Sequence, residues 1–292
     1  MAFTTTMTSN GQITIPVVIS CSKGLDTLNK EVSAHLNQHK IRLVLTDLDG
    51  TVVPLFSNEV SSAVRQAVIA AEAQGVSVTP ITGRPYEMAK PILTELGFND
   101  LCITDNGASI RKVLDGELVW SQWLEPAKIK EIVEAIVADS VVIDYGPGWN
   151  EHPPTPDEVE RVQLPASHVF GEVKPAKLEA VLERLKPIQD VISFSSVGRL
   201  AGHWGIMVTH HLADKYHGAA ALHKLTGIPK ENTLAIGDGV NDLPLFQHAA
   251  VKVPMGNATE ELKAAADYVV ASVEDDGFVE AIRRFVLLKH GA

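Results

Sequence analysis

The sequence predicts an α/β protein: a doubly wound parallel sheet interrupted by an α+β insert. Three observations carry that expectation. Apolar strand-like runs alternate with segments of helical period from residue 41 to 107, and again from 210 to 292. Between them, over 108–209, the rhythm changes to paired strands with helices between. Two acidic clusters, Asp47-Leu48-Asp49-Gly50-Thr51 and Gly237-Asp238-Gly239-Val240-Asn241-Asp242, each close an apolar run. In an open parallel sheet, loops at the carboxyl ends of strands form the ligand crevice.

The elements follow in order. Residues 1–40 form an extension, with a short strand expected in Gly11-Gln12-Ile13-Thr14-Ile15-Pro16 and an amphipathic helix from Leu25 to Leu36. That first string looks like a piece of a swapped-hairpin DNA-binding module. With no basic residues nearby, it reads as part of a packed or disordered arm. Leu43-Val44-Leu45 is the first core strand. A helix is expected from Ser61 to Gln74 on Val64, Val68 and Ala71, and Gly75 suits the position past its end. Val76 to Ile81 is the second strand, where Pro80 predicts a bulge because it cannot donate to a ladder. A helix over 86–96, closed by Gly97, leads to a third strand at Leu101 to Thr104, expected in the same parallel sheet.

Within the insert the expected strands are Ser109 to Val113, Glu117 to Gln122, Val141 to Tyr145, His168 to Val173, Val191 to Ser195 and Trp204 to Val208. Helices are expected at 126–138 and 175–186. The turn-rich stretch from Gly146 to Pro156 reads as a connector rather than a substrate-facing loop. After it the core resumes with a helix at 217–225, the strand Thr233 to Ile236, a helix from Leu243 to His248 and a strand at Val251 to Val253. A helix at 259–265, a last strand at Tyr268 to Val270 and a closing helix from Gly277 to about Leu288 complete the chain.

Composition bounds the function. At 292 residues with 45% of them hydrophobic, the chain has material for a core and a second unit. A formal net charge of −11 opposes the phosphate backbone and argues against sequence-independent nucleic-acid binding. Two cysteines, Cys21 and Cys102, argue against a disulfide framework and fit a reducing compartment. No apolar run reaches the roughly 18 residues that span a bilayer, and no basic, then apolar, leader opens the chain, so the expected location is the cytoplasm.

Massed carboxylates at strand ends call for a cation. At an effective dielectric near 20, each like pair of charges about 4 Å apart costs about 4 kcal/mol. Mg²⁺, with carboxylate, water and phosphate oxygens around it, would offset that cost.

The motifs Asp47-x-Asp49-Gly50-Thr51, Thr82-Gly83-Arg84, Lys215 and Gly237-Asp238-x-x-Asn241-Asp242 stand in the order of the four haloacid dehalogenase superfamily motifs, which the chain resembles over roughly residues 41 to 290. Ile103-Thr104-Asp105-Asn106-Gly107-Ala108 and Val253-Pro254-Met255-Gly256-Asn257-Ala258 resemble its Cof-type branch. The resemblance implies a Rossmann-like core with an inserted type IIB cap. It also implies a Mg²⁺-dependent phosphatase that hydrolyses a small phosphorylated metabolite, a sugar phosphate or cofactor-like phosphomonoester, through an aspartyl-phosphate. The alternatives are a phosphomutase of the same superfamily and a non-catalytic binding module.

By resemblance Asp47 is the nucleophile, and Asp49 the acid and then base, a task that asks for a carboxyl pKa raised towards neutrality. Gly50 allows close backbone approach and an amide nest for phosphate, while Thr51 braces the loop or caps a turn. Thr82 and Gly83 offer a hydroxyl and an N–H to the phosphate, Lys215 a positive charge, and Arg84 a contact with substrate or a salt bridge. Asn241 orients the phosphate or the Asp238 loop, and Asn106 gates a hinge or forms a turn. The metal set is an Asp47 oxygen, the Asp49 carbonyl, Asp238 and Asp242. The family pattern places glycine directly after the lysine, whereas here Tyr216 and His217 precede Gly218. His152, His210 and His211 have no zinc-like spacing with cysteine and read as surface or linker residues; Trp120, Trp123, Trp149 and Trp204 read as cap core before ligand platform.

Overall fold

A computed structural model describes residues 6–7, 13–14, 40–55, 57–136, 139–145, 163–198, 200–266 and 268–287. In chain order its strands and helices begin with β1 (Thr6–Met7) and β2 (Ile13–Thr14), which pair antiparallel, Thr6 with Thr14 and Met7 with Ile13. Next come β3 (Leu43–Thr46), α1 (Ser62–Ala73), β4 (Ser77–Pro80), α2 (Tyr86–Leu96), β5 (Leu101–Thr104), β6 (Ser109–Lys112) and β7 (Leu118–Ser121). They are followed by α3 (Pro126–Ile136), β8 (Ser140–Tyr145), β9 (His168–Val173), α4 (Leu178–Leu185), β10 (Val191–Val197) and β11 (Trp204–His210). The chain continues through α5 (Lys215–Thr226), β12 (Thr233–Gly237), α6 (Leu243–Phe246), β13 (Val251–Pro254), α7 (Glu260–Ala264) and α8 (Gly277–Ile282). The segments expected as a helix at Leu25 to Leu36 and as a connector at Gly146 to Pro156, with Cys21, His152 and Trp149, lie outside the described residues.

Two compact units form, Met1–Ile81 with Pro91–Asp100 and His223–Ala292, and Thr82–Lys90 with Leu101–Leu222. In the first, four strands lie in the order β13-β12-β3-β4, all parallel. Every residue of β3 and β12 is buried, as continuous apolar runs covered on both faces must be. Helix α1 lays Val64, Ala67, Val68 and Ala71 inward at helical spacing and packs with α8, whose Phe278, Ala281 and Ile282 are also buried.

Pro80 produces no bulge. β4 is at one edge of this sheet, and its register with β3 runs unbroken from Leu43 opposite Ser77 to Thr46 opposite Pro80. A proline's missing donor is tolerated at such an edge. Tyr268 to Val270 does not become a strand either. Its backbone donates to Lys252 and Pro254 of β13, at 3.4 and 3.2 Å, contacts at the long end of hydrogen bonding. The closing helix ends at Ile282 and continues as a wider turn over Arg283–Leu287.

The second unit holds two antiparallel sheets. In one, the order is β5-β6-β7, so Leu101 to Thr104 pairs antiparallel with Ser109–Lys112 instead of extending the parallel sheet. Asp105, Asn106 and Gly107 all take positive φ, and that left-handed run reverses the chain at once into β6. Apolarity defined the strand, but the turn chose its partner. The other sheet has the order β10-β11-β9-β8, antiparallel throughout, as expected for the insert. Helices α3 and α4 cover one of its faces, with Ile129, Ile132, Val133, Ile136, Val181 and Leu185 packed on Val169, Val173, Ile206 and Val208.

Among the described residues, no helix is long and apolar enough to cross a membrane. Cys102 is buried, and burial pushes its thiol up to about 12, the behaviour of a packed structural group.

Candidate active site

The parallel register of the first unit aims three loops at one place. β3 and β12 end together, Thr46 opposite Ile236, and the ladder extends one step as the Asp47 N–H donates to Ile236 O at 3.0 Å. Asp47 therefore leaves its strand beside Asp238, which follows Gly237. Their neighbour β13 pairs Pro254 with Gly237 and is followed three residues later by Asn257.

Asp47, Asp238 and Asp242 each offer a carboxylate oxygen, all within 4.8 Å of one another. Asp47 and Asp242 are buried, 6% and 0% exposed, and charge of one sign massed out of water needs an opposite charge to offset it. The carboxylates are fixed by backbone donors. Leu48 N–H donates to Asp47 Oδ1 at 2.8 Å, and the N–H groups of Asp238 and Gly239 both donate to Asp242 Oδ2 at 3.0 Å. Thr51 Oγ1 donates to Asp238 Oδ1 at 3.3 Å, so the first acidic loop braces the second.

Gly50 is required here. Its φ of +76° lies in the left-handed region, and a Cβ there would collide with the Asp238 carboxylate. The loop also closes on itself: Gly50 N–H donates to Val53 O at 2.7 Å and Thr51 N–H to Leu48 O at 3.4 Å. Asn241 is exposed in the turn that follows, with its Oδ1 against Gly239. Asp49 is partly exposed and forms an isolated bridge with Val53.

The remaining motif residues converge in the second unit. Thr82 is fully buried; its N–H donates to Ile103 O at 3.0 Å, its carbonyl accepts Asn106 N–H at 3.0 Å, and its Oγ1 accepts Arg84 N–H at 3.1 Å. Asp105 N–H donates to Arg84 O at 3.0 Å, so the Thr-Gly-Arg turn, with Gly83 exposed at its tip, is locked to the Asp105–Gly107 turn. The latter packs on Asp214, and a Cβ on Gly107 would strike the Asp214 carbonyl.

Lys215 is not a surface residue. It opens α5 only 2% exposed, so the helix begins two residues earlier than its apolar pattern indicated. Gly218 sits where a Cβ would press on Gly107 and Ile103, which accounts for a glycine three positions after the lysine.

Among the described residues, the acidic group of Asp47, Asp238 and Asp242 includes no histidine. His217 pairs with Asp214 at 2.8 Å, and His210 stacks on His211 with ring centroids 4.7 Å apart. Burial, and then the neighbouring His211, hold the His210 pKa below its usual value. Trp123 is half-buried and outside the buried cluster: its Nε1 donates to Ser109 Oγ at 2.8 Å, and the Arg111 guanidinium lies over its ring. Trp204 is 36% exposed at the end of β11, outside the cap core.

One residue beside the carboxylates was given no role from sequence beyond its place in the Val253–Ala258 string. Asn257 Nδ2 donates to Gly50 O at 2.8 Å and lies 3.4 Å from Asp238 Oδ2, while its Oδ1 accepts Val273 N–H at 3.0 Å. The signal was its place just beyond a strand adjacent to β12.

The model of the haloacid dehalogenase-like hydrolases matches residues 44–145 and 149–282. The chain belongs to this family. It is 28% identical over 264 residues to the 5-amino-6-(5-phospho-D-ribitylamino)uracil phosphatase YcsE of Bacillus subtilis, a match covering 85% of this chain and 96% of the relative. A phosphoglycolate phosphatase of Saccharolobus solfataricus is 25% identical over 250 residues, covering 84% and 94%. Among solved structures, a haloacid dehalogenase-like hydrolase from Bacteroides thetaiotaomicron matches with a TM-score of 0.70 and 26% identity, covering 84% of this chain and 99% of that one. A subclass IIB sugar phosphatase of the superfamily matches with a TM-score of 0.63 and 25% identity, covering 85% and 100%. The haloacid dehalogenase-like chain is thus a Cof-type phosphoric monoester hydrolase with a IIB-type cap.

Proposed function

We propose that this phosphatase is Mg²⁺-dependent and hydrolyses a small phosphorylated metabolite, a sugar phosphate or cofactor-like phosphomonoester, through an aspartyl-phosphate on Asp47. The observation that carries the reading is the grouping of Asp47, Asp238 and Asp242 within 4.8 Å, two of them buried. Three hard oxygen donors of this kind suit Mg²⁺, which takes few protein carboxylates and keeps sites for water and phosphate. Asp47, Asp238 and Asp242 would hold it through side chains and Asp49 through its carbonyl; when bound, the ion neutralises charge on the transferring phosphoryl group.

The chain's own residues divide the chemistry. An Asp47 carboxylate oxygen attacks phosphorus in line, the P–O bond to the leaving alcohol breaks, and Asp49 donates a proton to that oxygen. Water then attacks the phosphorus, Asp49 takes its proton, and the P–O bond to Asp47 breaks, restoring both carboxyl groups. Thr82 hydroxyl, Gly83 N–H and the Lys215 ammonium stabilise charge on the equatorial oxygens, with Asn241 orienting the phosphate or the Asp238 loop. Arg84 contacts the substrate, and Asn106 holds the turn beside Thr82. Residues 41–107 and 210–292 act as the catalytic core and 108–209 as the cap, in a protein of the cytoplasm. Sugar and pyrimidine-ribityl phosphates, the substrates named for relatives, are the first to try.

Asp47→Asn keeps the shape and removes the nucleophile. Phosphate release should fall by about a thousandfold or more, with the melting curve of a folded protein retained. Near-native release by that variant would end the proposal.

A further inference from the structure

We infer that Asn257 is a positioning residue of the metal site, setting the Asp238 carboxylate and the Gly50 peptide through a clamp that joins three loops. The inference rests on the Mg²⁺ reading above. Each polar atom of the Asn257 amide is accounted for. Its nitrogen donates to the Gly50 carbonyl at 2.8 Å and faces Asp238 Oδ2 at 3.4 Å. Its oxygen accepts Val273 N–H at 3.0 Å, which fixes which end of the amide faces the carboxylate.

The geometry explains why the link matters. Gly50 sits at a φ of +76° with its α-carbon against Asp238, so rotation of the Gly50 peptide and displacement of the carboxylate are one motion. Asp238 is already held on its other oxygen by Thr51 at 3.3 Å and through its carbonyl by Thr259 N–H at 3.0 Å. Asn257 supplies a further hold, facing Oδ2. The loop that presents it is itself anchored, Gly256 N–H donating to Ala271 O at 2.9 Å, so the amide is carried on a short, tied segment. A neutral donor beside a carboxylate also leaves its negative charge intact for a cation. Groups that orient metal ligands in this way commonly change metal affinity by about 10- to 100-fold when removed.

Two variants test it. Asn257→Leu keeps the branched shape and removes all three hydrogen bonds. Val273→Pro leaves Asn257 in place and deletes only the N–H that aligns it. Proline is compatible there, because Val273 opens a short helical turn and Ser272 before it has φ −71° and ψ 169°, the extended conformation a following proline requires. Calorimetry with Mg²⁺ alone, on the full chain, is read beside melting curves in metal-free buffer and the Mg²⁺ dependence of p-nitrophenyl phosphate hydrolysis.

The expected result is a Mg²⁺ Kd raised about tenfold by Asn257→Leu and by a smaller factor, about threefold, by Val273→Pro, with the metal-free melting temperature of Val273→Pro near that of wild type. The Mg²⁺ concentration for half-maximal hydrolysis should rise by the same factors. Wild-type Mg²⁺ affinity in both variants overturns the inference while leaving the proposed function standing. So does a weakened affinity matched by an equal loss of metal-free stability in both. A wild-type protein that takes up no Mg²⁺ sinks the two readings together.

Discussion

The parallel sheet and the sheet of the cap solve opposite problems. In the first, β3 and β12 are buried at every position; in the second, β10 has no buried residue, and β11 is mixed, hiding Ile206 and Val208 while Met207 stays 37% exposed. A strand covered on both faces has no surface on which to carry chemistry, so its polar residues are displaced to the loop at its end. There they occur next to one another in sequence, as Asp47 and Asp49 do, or Asp238 and Asp242. A strand covered on one face spreads its exposed side chains over alternate residues and neighbouring strands. Phe194, Met207 and Phe170 are placed opposite one another by register, yet belong to three separate segments. The contrast teaches why chemistry in this protein reads as motifs and the cap's outward face does not.

The strongest way to break the comparison is at the loop end. Gly50→Ala introduces a side chain at positive φ and drives a methyl group into the Asp238 carboxylate. Phosphate release should fall by about a hundredfold or more and Mg²⁺ affinity with it, while the strain itself costs about 1–3 kcal/mol of stability. Activity and calorimetry on the same preparation separate the two. A variant that stays active would mean that the close approach of Gly50 to Asp238 is dispensable.

Much of this was legible in the sequence, for physical reasons that differ by residue. Asp47, Asp238 and Asp242 stood out because two acidic clusters each follow an apolar run, either of which alone could be an ordinary turn, and the parallel register sets those runs side by side. Asn257 was noted only as part of the Val253–Ala258 string and given no role, because its partners Val273 and Gly50 are distant in the chain. The third strand was located correctly but given the wrong partner, since a run such as Leu-Cys-Ile-Thr is equally at home in either kind of sheet. Only the positive φ angles at Asp105 and Asn106 decide it, and those are invisible to periodicity. The start of α5 was placed two residues late for a related reason: the glycine that lets Lys215 and its neighbours sit against Gly107 lies three positions on, not one.

The cap can be weakened without touching the carboxylates. Ile132 is fully buried among Val169, Val173 and Val208 on the face that α3 and α4 cover. Ile132→Ala should destabilise the protein by about 2–4 kcal/mol, the usual cost of deleting a buried aliphatic side chain and leaving a cavity. Mg²⁺ affinity should stay at the wild-type value, because Asp47, Asp238 and Asp242 all belong to the other compact unit. Urea denaturation beside Mg²⁺ calorimetry reads both, and a parallel fall in metal affinity would show the two units to be energetically coupled.

The mildest test concerns the opposite face of the same sheet. Phe194 is 46% exposed and paired with Met207 across the ladder, so little area is returned to water when it is truncated. Phe194→Ala should shift the urea midpoint by an amount equivalent to less than about 0.5 kcal/mol. The same aromatic residue buried behind α3 and α4 would cost several times more. With stability unchanged, an altered ranking among phosphomonoesters for this variant can be ascribed to the surface rather than to unfolding. A large drop in stability would mean that β10 is packed on its outer face in solution, and the division between a covered strand and an open one would no longer hold for the cap.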